Sequence, residues 1–504
     1  VRVLIFHGYL LRGTGSNIYN ASLARALAGL GHEVHLLCQE RHADGLDLPA
    51  GVTVHNPDIG RVLPVYVADR YEGFDAVRFA DLDDAALERY VAANVEAVRD
   101  VVARFRPDVA LANHAVMGPA ILARALGGEV PYAVKIHGSA LEYTVRPEPA
   151  RFLPYMLEGL RGASGVLVGS LHTAQSLWEV AGDPELVERT RLGPPGVDVA
   201  AFRPRPVEAA ASGLHELADR LDGADVAAWG GEPGAAEALR AVDPRAEPIV
   251  GYVGKLIVSK GVDLLLAAWP LVCARLPDAR LVVVGFGEYR DALGRIVAAL
   301  AAGDLAAVRE IAARGRELEG GPPGELRHLA AFLDGLDGPA RAAYLAAAPV
   351  AARRIHFTGR LEHEDLPLAL PAFSAQVVPS TFPEAFGMVA AEAACCGVLP
   401  LSAAHSGLAE VTAVLAAALP AERRDLLAFE RGPGAVEEIA GRLVRWLELP
   451  APERAAIRTA LSDLARRRFG WEAVAEGVIA AARGQLGGLP RPGAADSPSS
   501  PVSG

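Results

Sequence analysis

The sequence predicts an α/β protein built as two Rossmann-like, doubly wound parallel-sheet domains that face a cleft. Three observations carry this. Short apolar runs alternate with helix-length segments over most of the chain, the pattern of strand–helix–strand units. The alternation occurs twice, on either side of an alanine-, glycine- and proline-rich interval at 202–247. The 504 residues, 51% hydrophobic and 22% charged, have ample apolar material for two cores.

Val1–Phe6 reads as the first buried strand, and Ser16–Leu30 as a helix with Ile18, Leu23, Leu27 and Leu30 at helical spacing. Gly31-His32 ends that helix and Glu33–Cys38 is the next strand. Asp108–Ala112, Tyr132–Ile136 and Gly165–Val168 continue the first domain, expected over 1–201. The interval 202–247 reads as a linker or small helical insertion. The second domain, 248–470, carries strands at Ile249–Val253, Leu281–Val284, Arg354–Phe357, Ala375–Val378 and Gly397–Leu401. An alanine- and charge-rich insertion at about 290–352 predicts extra helices. The stretch 471–486, opened by Trp471, is expected to pack back on the first domain, and the Ser/Pro-rich residues 487–504 are expected to be disordered.

Forty-nine lysines and arginines against 61 aspartates and glutamates leave a net charge of −12, which opposes nucleic-acid coating but not a local cationic pocket. Cys38, Cys273, Cys395 and Cys396 lack paired metal or disulfide spacing. No secretory pattern or membrane-length apolar run is present, so a cytoplasmic protein is expected, with peripheral membrane contact left open.

The most informative stretch is Pro379–Glu392. A strand ends, a loop carries Glu384, and a helix is expected to begin near Phe386, leaving the amides of Phe386, Gly387 and Met388 as an anion seat. Glu392 follows Glu384 by eight residues, a helical advance of roughly 12 Å, which would let one carboxylate serve sugar hydroxyls and the other a ribose. In Gly251–Asp263, Lys255 and Lys260 bracket a strand-to-helix turn and could neutralise a diphosphate leaving group. The first loop holds Gly13-Thr14-Gly15-Ser16, but Ile18 stands where a dinucleotide fingerprint requires glycine. That disfavours a dehydrogenase and leaves Gly15 as backbone able to approach a ligand. His137 ends a strand and precedes Gly138, pointing into the same cleft; His114 is placed similarly. No His or Cys spacing suggests a metal.

With these residues in view, the chain resembles the retaining GT-B glycosyltransferases of family 4. Glu384–Glu392 with Phe386-Gly387 is similar to that family's E-x7-E signature, and Gly254–Gly261 to its diphosphate loop, where Lys255 stands in place of the usual arginine. His356–Arg360 resembles the strand and loop beside the nucleobase, which makes Arg360 a donor-binding residue. The resemblance implies retaining hexosyl transfer from a nucleoside-diphosphate sugar, a co-substrate rather than a cofactor. Because cationic side chains and a helix start do the metal's task, metal-independent activity is expected. The acceptor would be a glycan, a lipid-linked glycan or a small metabolite. It implies catalytic roles for His137, Glu384 and Lys260, and donor contacts from Gly15, Lys255, Lys260, Arg360, Glu384, Phe386, Gly387, Met388 and Glu392. A GT-B phosphorylase, a nucleotide-sugar epimerase and a non-catalytic nucleotide-sugar binder stay open at this point.

Overall fold

A computed structural model describes residues 1–12, 15–66, 73–222 and 230–493. The chain divides into one unit of residues 1–196 with 470–504 and a second, contiguous unit of residues 197–469. The boundary therefore falls at Gly196/Val197 rather than after residue 201.

The first unit contains β1 (Arg2–Phe6), β2 (Glu33–Leu37), β3 (Val52–His55), β4 (Val62–Val65), β5 (Asp75–Arg78), β6 (Val109–Asn113), β7 (Tyr132–Ile136), β8 (Gly165–Val168) and β9 (Thr190–Leu192). Seven of these form a sheet in the order β3-β2-β1-β6-β7-β8-β9, with β4 and β5 paired separately. Every pairing in the large sheet is parallel. Central strands β6 and β7 are buried at all five positions, Asn113 and Lys135 included, which is why they read as mostly apolar runs.

The helix Gly15–Gly29 and the helix Trp471–Ala482 pack against each other, and the second also meets β6, β7 and β8. Tyr19, Leu23, Leu27, Trp471, Ala475 and Val478 share one core. The chain stays ordered past the expected end of this region, because Leu192 N–H donates to the Pro490 carbonyl at 2.8 Å. The expectation of disorder from residue 487 is thus corrected for 487–493; the remainder of that tail lies outside the described residues.

The second unit contains β10 (Ile249–Val253), β11 (Arg280–Val284), β12 (Ile355–Gly359), β13 (Ala375–Val378), β14 (Leu399–Ala403) and β15 (Ala428–Phe429), in the order β12-β11-β10-β13-β14-β15. Residues 202–247 are no mere linker. Helix Val207–Asp222 buries Ala210, Leu214, Leu217 and Ala218 on one stripe, packs on helix Ala235–Arg240, and joins this unit's core. The insertion forms helices Arg290–Ala302, Leu305–Arg314, Arg327–Gly335 and Gly338–Ala352. The first and last of them pack on helix Val262–Arg275. Among the described residues, no helix is long and apolar enough to cross a membrane.

In each unit the strand order reverses once, between β1 and β6 and between β10 and β13. Ligands of doubly wound sheets sit outside the carboxyl ends of the strands at such points.

Candidate active site

At the reversal in the second unit, β10 runs into the loop with Lys255 and Lys260, and β13 runs into the loop with Glu384. The two loops are stitched together. Ser259 carbonyl accepts from the amides of Thr381 (2.9 Å) and Phe382 (3.3 Å). Gly261, at φ 65°, lies so close to the second loop that a β-carbon there would sit 2.1 Å from the Pro379 carbonyl oxygen. Only glycine fits that crossing.

The stitching brings Lys260 onto Glu384, whose Oε1 accepts hydrogen bonds from Lys260 Nζ and, at 2.6 Å, from the Ser380 hydroxyl. Glu384 N–H donates to Ser406 Oγ at 2.8 Å. Ser406 Oγ pairs with His405 Nδ1 at 3.1 Å, and His405 Nε2–H donates to the Ser380 carbonyl at 2.7 Å. Ser380, Glu384, His405 and Ser406 thus close a ring that fixes the carboxylate. Glu384 is 23% exposed at its side chain. Burial pushes its carboxyl up, but the Lys260 charge and hydrogen bond, the Ser380 hydroxyl and His405 outweigh that and hold it below the ordinary glutamate value. Glu384 is an anion at neutral pH. Ser380, His405 and Ser406 were missed in the sequence; His405 follows the end of β14, so the strand-end rule that found His137 could have found it.

The helix after Glu384 begins at Met388, two residues later than expected, with Gly387 at φ 139° before it. Among the described residues, the amides of Gly387 and Met388 have no protein acceptor. The Phe386 amide likewise has none among the described residues, and the Phe386 ring is buried, edge-on to Phe469 at 5.8 Å. The helical spacing argument for the two glutamates is corrected, because residues 384–387 are loop and only Met388 onward is helix. Glu392 is 2% exposed, and its Oε1 meets His363 Nε2 at 2.8 Å, a partner that no sequence spacing signals. Arg360 ion-pairs with Glu362 at 2.7 Å and lies 5.7 Å from the Phe286 ring centre. Its amide donates to the Gly230 carbonyl at 2.8 Å. Lys255 lends its carbonyl to the Tyr252 hydroxyl at 2.8 Å.

His137 and Gly15 belong to the other unit, where β1, β6 and β7 end on a chain of amides and imidazoles. Backbone carbonyls fix the orientation of each amide: Asn113 Nδ2 donates to Phe6 (3.1 Å), Asn20 Nδ2 to Ser16 (2.8 Å) and Asn17 Nδ2 to Arg12 (2.6 Å). His137 Nε2–H therefore donates to Asn113 Oδ1 at 2.7 Å, Asn113 Nδ2 to Asn20 Oδ1 at 2.8 Å, and Asn20 Nδ2 to His7 Nδ1 at 3.0 Å. His7 Nε2–H ends the chain on Asn17 Oδ1 at 2.8 Å. Both imidazoles are neutral, and His137 keeps Nδ1 as an acceptor. Burial, then the neighbouring His114, Lys135 and His7, hold the His137 pKa well below the usual histidine value. Burial lowers that of His7 to about 4. Both ring nitrogens of His114 are buried without a partner among the described residues, its ring centre 4.8 Å from that of His137. Gly15 opens its helix with nothing crowding its α-carbon. Gly13 and Thr14 lie outside the described residues.

Two Rossmann-like units of this kind define the GT-B class. The chain is similar in fold to sucrose-phosphate synthase from Thermosynechococcus elongatus, with TM-score 0.59 and 20% identity over 96% of this chain and 98% of that one. It is likewise similar to Anabaena Alr3699/HepE in complex with UDP and glucose, with TM-score 0.57 and 17% identity over 97% and 99%. Residues 14–193 match the glycosyl transferase 4-like domain, and residues 247–313 and 335–460 match glycosyl transferases group 1. D-inositol 3-phosphate glycosyltransferase of Frankia alni is 26% identical over 94% of this chain and 95% of its own length. The protein of the same name from Xylanimonas cellulosilytica is 28% identical over 92% and 90%. The chain belongs to the GT-B glycosyltransferases of family 4, and it is an enzyme of glycosyl transfer.

Proposed function

We propose that this enzyme moves a hexosyl group from a nucleoside-diphosphate sugar to a hydroxylated acceptor, with retention at the anomeric carbon and without a bound metal. The observation that carries the reading is the Lys260–Glu384 pair at the stitched loops, beside the open amides of Gly387 and Met388. One carboxylate held as an anion suits sugar hydroxyls. Two ammonium groups and a helix start suit the diphosphate.

In this reading the bond from the anomeric carbon to the diphosphate breaks, and its electron pair goes to the departing phosphate oxygen. The acceptor hydroxyl adds to the same face of the sugar and passes its proton to that oxygen. Lys255, Lys260 and the amides balance the charge that builds on the leaving group, the task a metal performs elsewhere. Glu384 orients the sugar. Glu392 accepts from the ribose, which requires it to share or leave His363. His137, neutral and open at Nδ1, accepts a hydrogen bond from the sugar's far hydroxyl or from the acceptor, and takes no proton in the step. Resemblance of Glu384–Glu392 to the retaining family supports retention. Four buried, unpaired cysteines suit a reducing cytoplasm.

The test is transfer by EDTA-treated protein from UDP-, GDP- and ADP-sugars. Inositol 3-phosphate heads the acceptor panel because two relatives are named for it, with glycans and lipid-linked glycans beside it. The expected result is a product with the donor's anomeric configuration. Inversion, a requirement for added magnesium, or turnover only with free phosphate would overturn the reading.

A further inference from the structure

The lysine loop is gripped from three sides, and the third grip comes from the inserted segment. On the first side, Gly254 N–H donates to Val284 (3.0 Å), Leu256 N–H to Phe286 (2.7 Å), and Tyr289 N–H back to Leu256 (3.0 Å). On the second, Ser259 is tied to the Glu384 loop. Both grips leave unpaired the amide of Val258, which opens the short turn Val258–Lys260. Its acceptor is Glu319 Oε2, at 2.7 Å and 61 residues away. Glu319 is 10% exposed at its side chain, and its other oxygen accepts from Arg316 Nε at 3.1 Å. The backbone delivers it by design: Gly315 precedes the short helix Arg316–Glu319 and bridges to Gly324, closing a small loop whose tip points the carboxylate at Val258.

We propose that Glu319 is a positioning residue for the donor site, and that the insertion at 290–352 serves to brace the turn between Lys255 and Lys260. The carboxylate holds the first amide of that turn, and Lys260 lies two residues further on. Losing the bond frees the turn to rotate and unsettles the aim of Lys260 at the diphosphate. Nothing in Glu319 touches the reacting atoms. This inference rests on the donor-site reading above.

The experiment is titration of the full chain with UDP, GDP and ADP, together with donor and acceptor KM, for Glu319→Ala, Glu319→Gln and Lys260→Ala. Glu319→Ala should weaken nucleoside-diphosphate binding about tenfold, the worth of one charge-assisted hydrogen bond. Donor KM should rise while acceptor KM stays put. Glu319→Gln keeps an acceptor oxygen and should recover most of the affinity, and it serves as the measurable variant should the alanine protein fold poorly. Weakened binding in Lys260→Ala with unchanged binding in Glu319→Ala overturns the brace. So does a Glu319→Ala protein that loses Tm but keeps its affinity. Unchanged binding in Lys260→Ala overturns the donor-site reading itself.

Discussion

Replacing Lys135 by methionine should stabilise the amino-terminal unit near neutral pH, and the gain should fade in alkali. Lys135 stands in β7, only 2% exposed. Its ammonium donates to the Gly193 carbonyl and lies 5.5 Å from the Tyr19 ring. Burial lowers its pKa from 10.5 to about 7. The unfolded chain keeps the proton up to the higher value, and the folded chain keeps it only to the lower. Unfolding therefore takes up a proton across that window, so wild-type stability rises with pH from about 7 to about 10.5. The full depression corresponds to about 5 kcal/mol, present entirely below the folded pKa, and roughly 2 kcal/mol of it is recovered between pH 7 and pH 9. Urea unfolding of wild type and Lys135→Met at pH 6.5, 7, 8 and 9 measures the difference directly. A wild-type-minus-variant gap that does not move with pH would refute the reasoning, since it would mean that the ammonium keeps its charge in the folded state.

Three further outcomes follow from the same geometry. Lys260→Ala should lower kcat by about 10²–10³, the loss typical of one preorganised group facing developing charge, and unchanged turnover would remove it from the leaving-group role. His363→Ala strips the partner from the buried Glu392 and should cost about 1–3 kcal/mol of stability in a thermal melt without ligand; added nucleoside diphosphate should recover part of the loss if Glu392 meets the ribose. Ser406 sits at φ 51°, where a side chain is strained. Ser406→Gly and Ser406→Ala both lose the hydroxyl that holds the Glu384 amide and should lose similar activity, yet the glycine protein should be the more stable by about 1 kcal/mol in melting experiments.

The elements legible in the sequence were those buried on both faces. Tyr132–Ile136, Gly165–Val168, Ile249–Val253 and Ala375–Val378 match strands residue for residue because apolar residues dominate each run, with Lys135 and Gln376 as single polar exceptions. Edge strand β3 alternates Val and Thr with little burial, and β9 has one apolar residue in three, so neither stood out from loop. The helix Val207–Asp222 was legible only as one of two readings of 202–247, linker or small helical insertion, because alanine and glycine supply much of its buried stripe. At the candidate site, strand ends pointed to Lys260, Glu384 and His137. Their partners were not legible: His363 reaches Glu392 across 29 residues, Glu319 reaches Val258 across 61, and Asn113 lies 24 before His137. Such pairings arise from how the sheets are wound, which local spacing does not encode.

The order in which this chain is made bears on how it folds. Residues 197–469 are contiguous and can close their own core as soon as they leave the ribosome, with Val197 N–H already bound to the Phe469 carbonyl at 2.6 Å. Residues 1–196 cannot. One face of their sheet, with Tyr19, Leu23 and Leu27, waits for Trp471 and the helix it opens. The half synthesised first is therefore the half completed last, and its uncovered apolar face is the surface a chaperone would have to shield in the meantime.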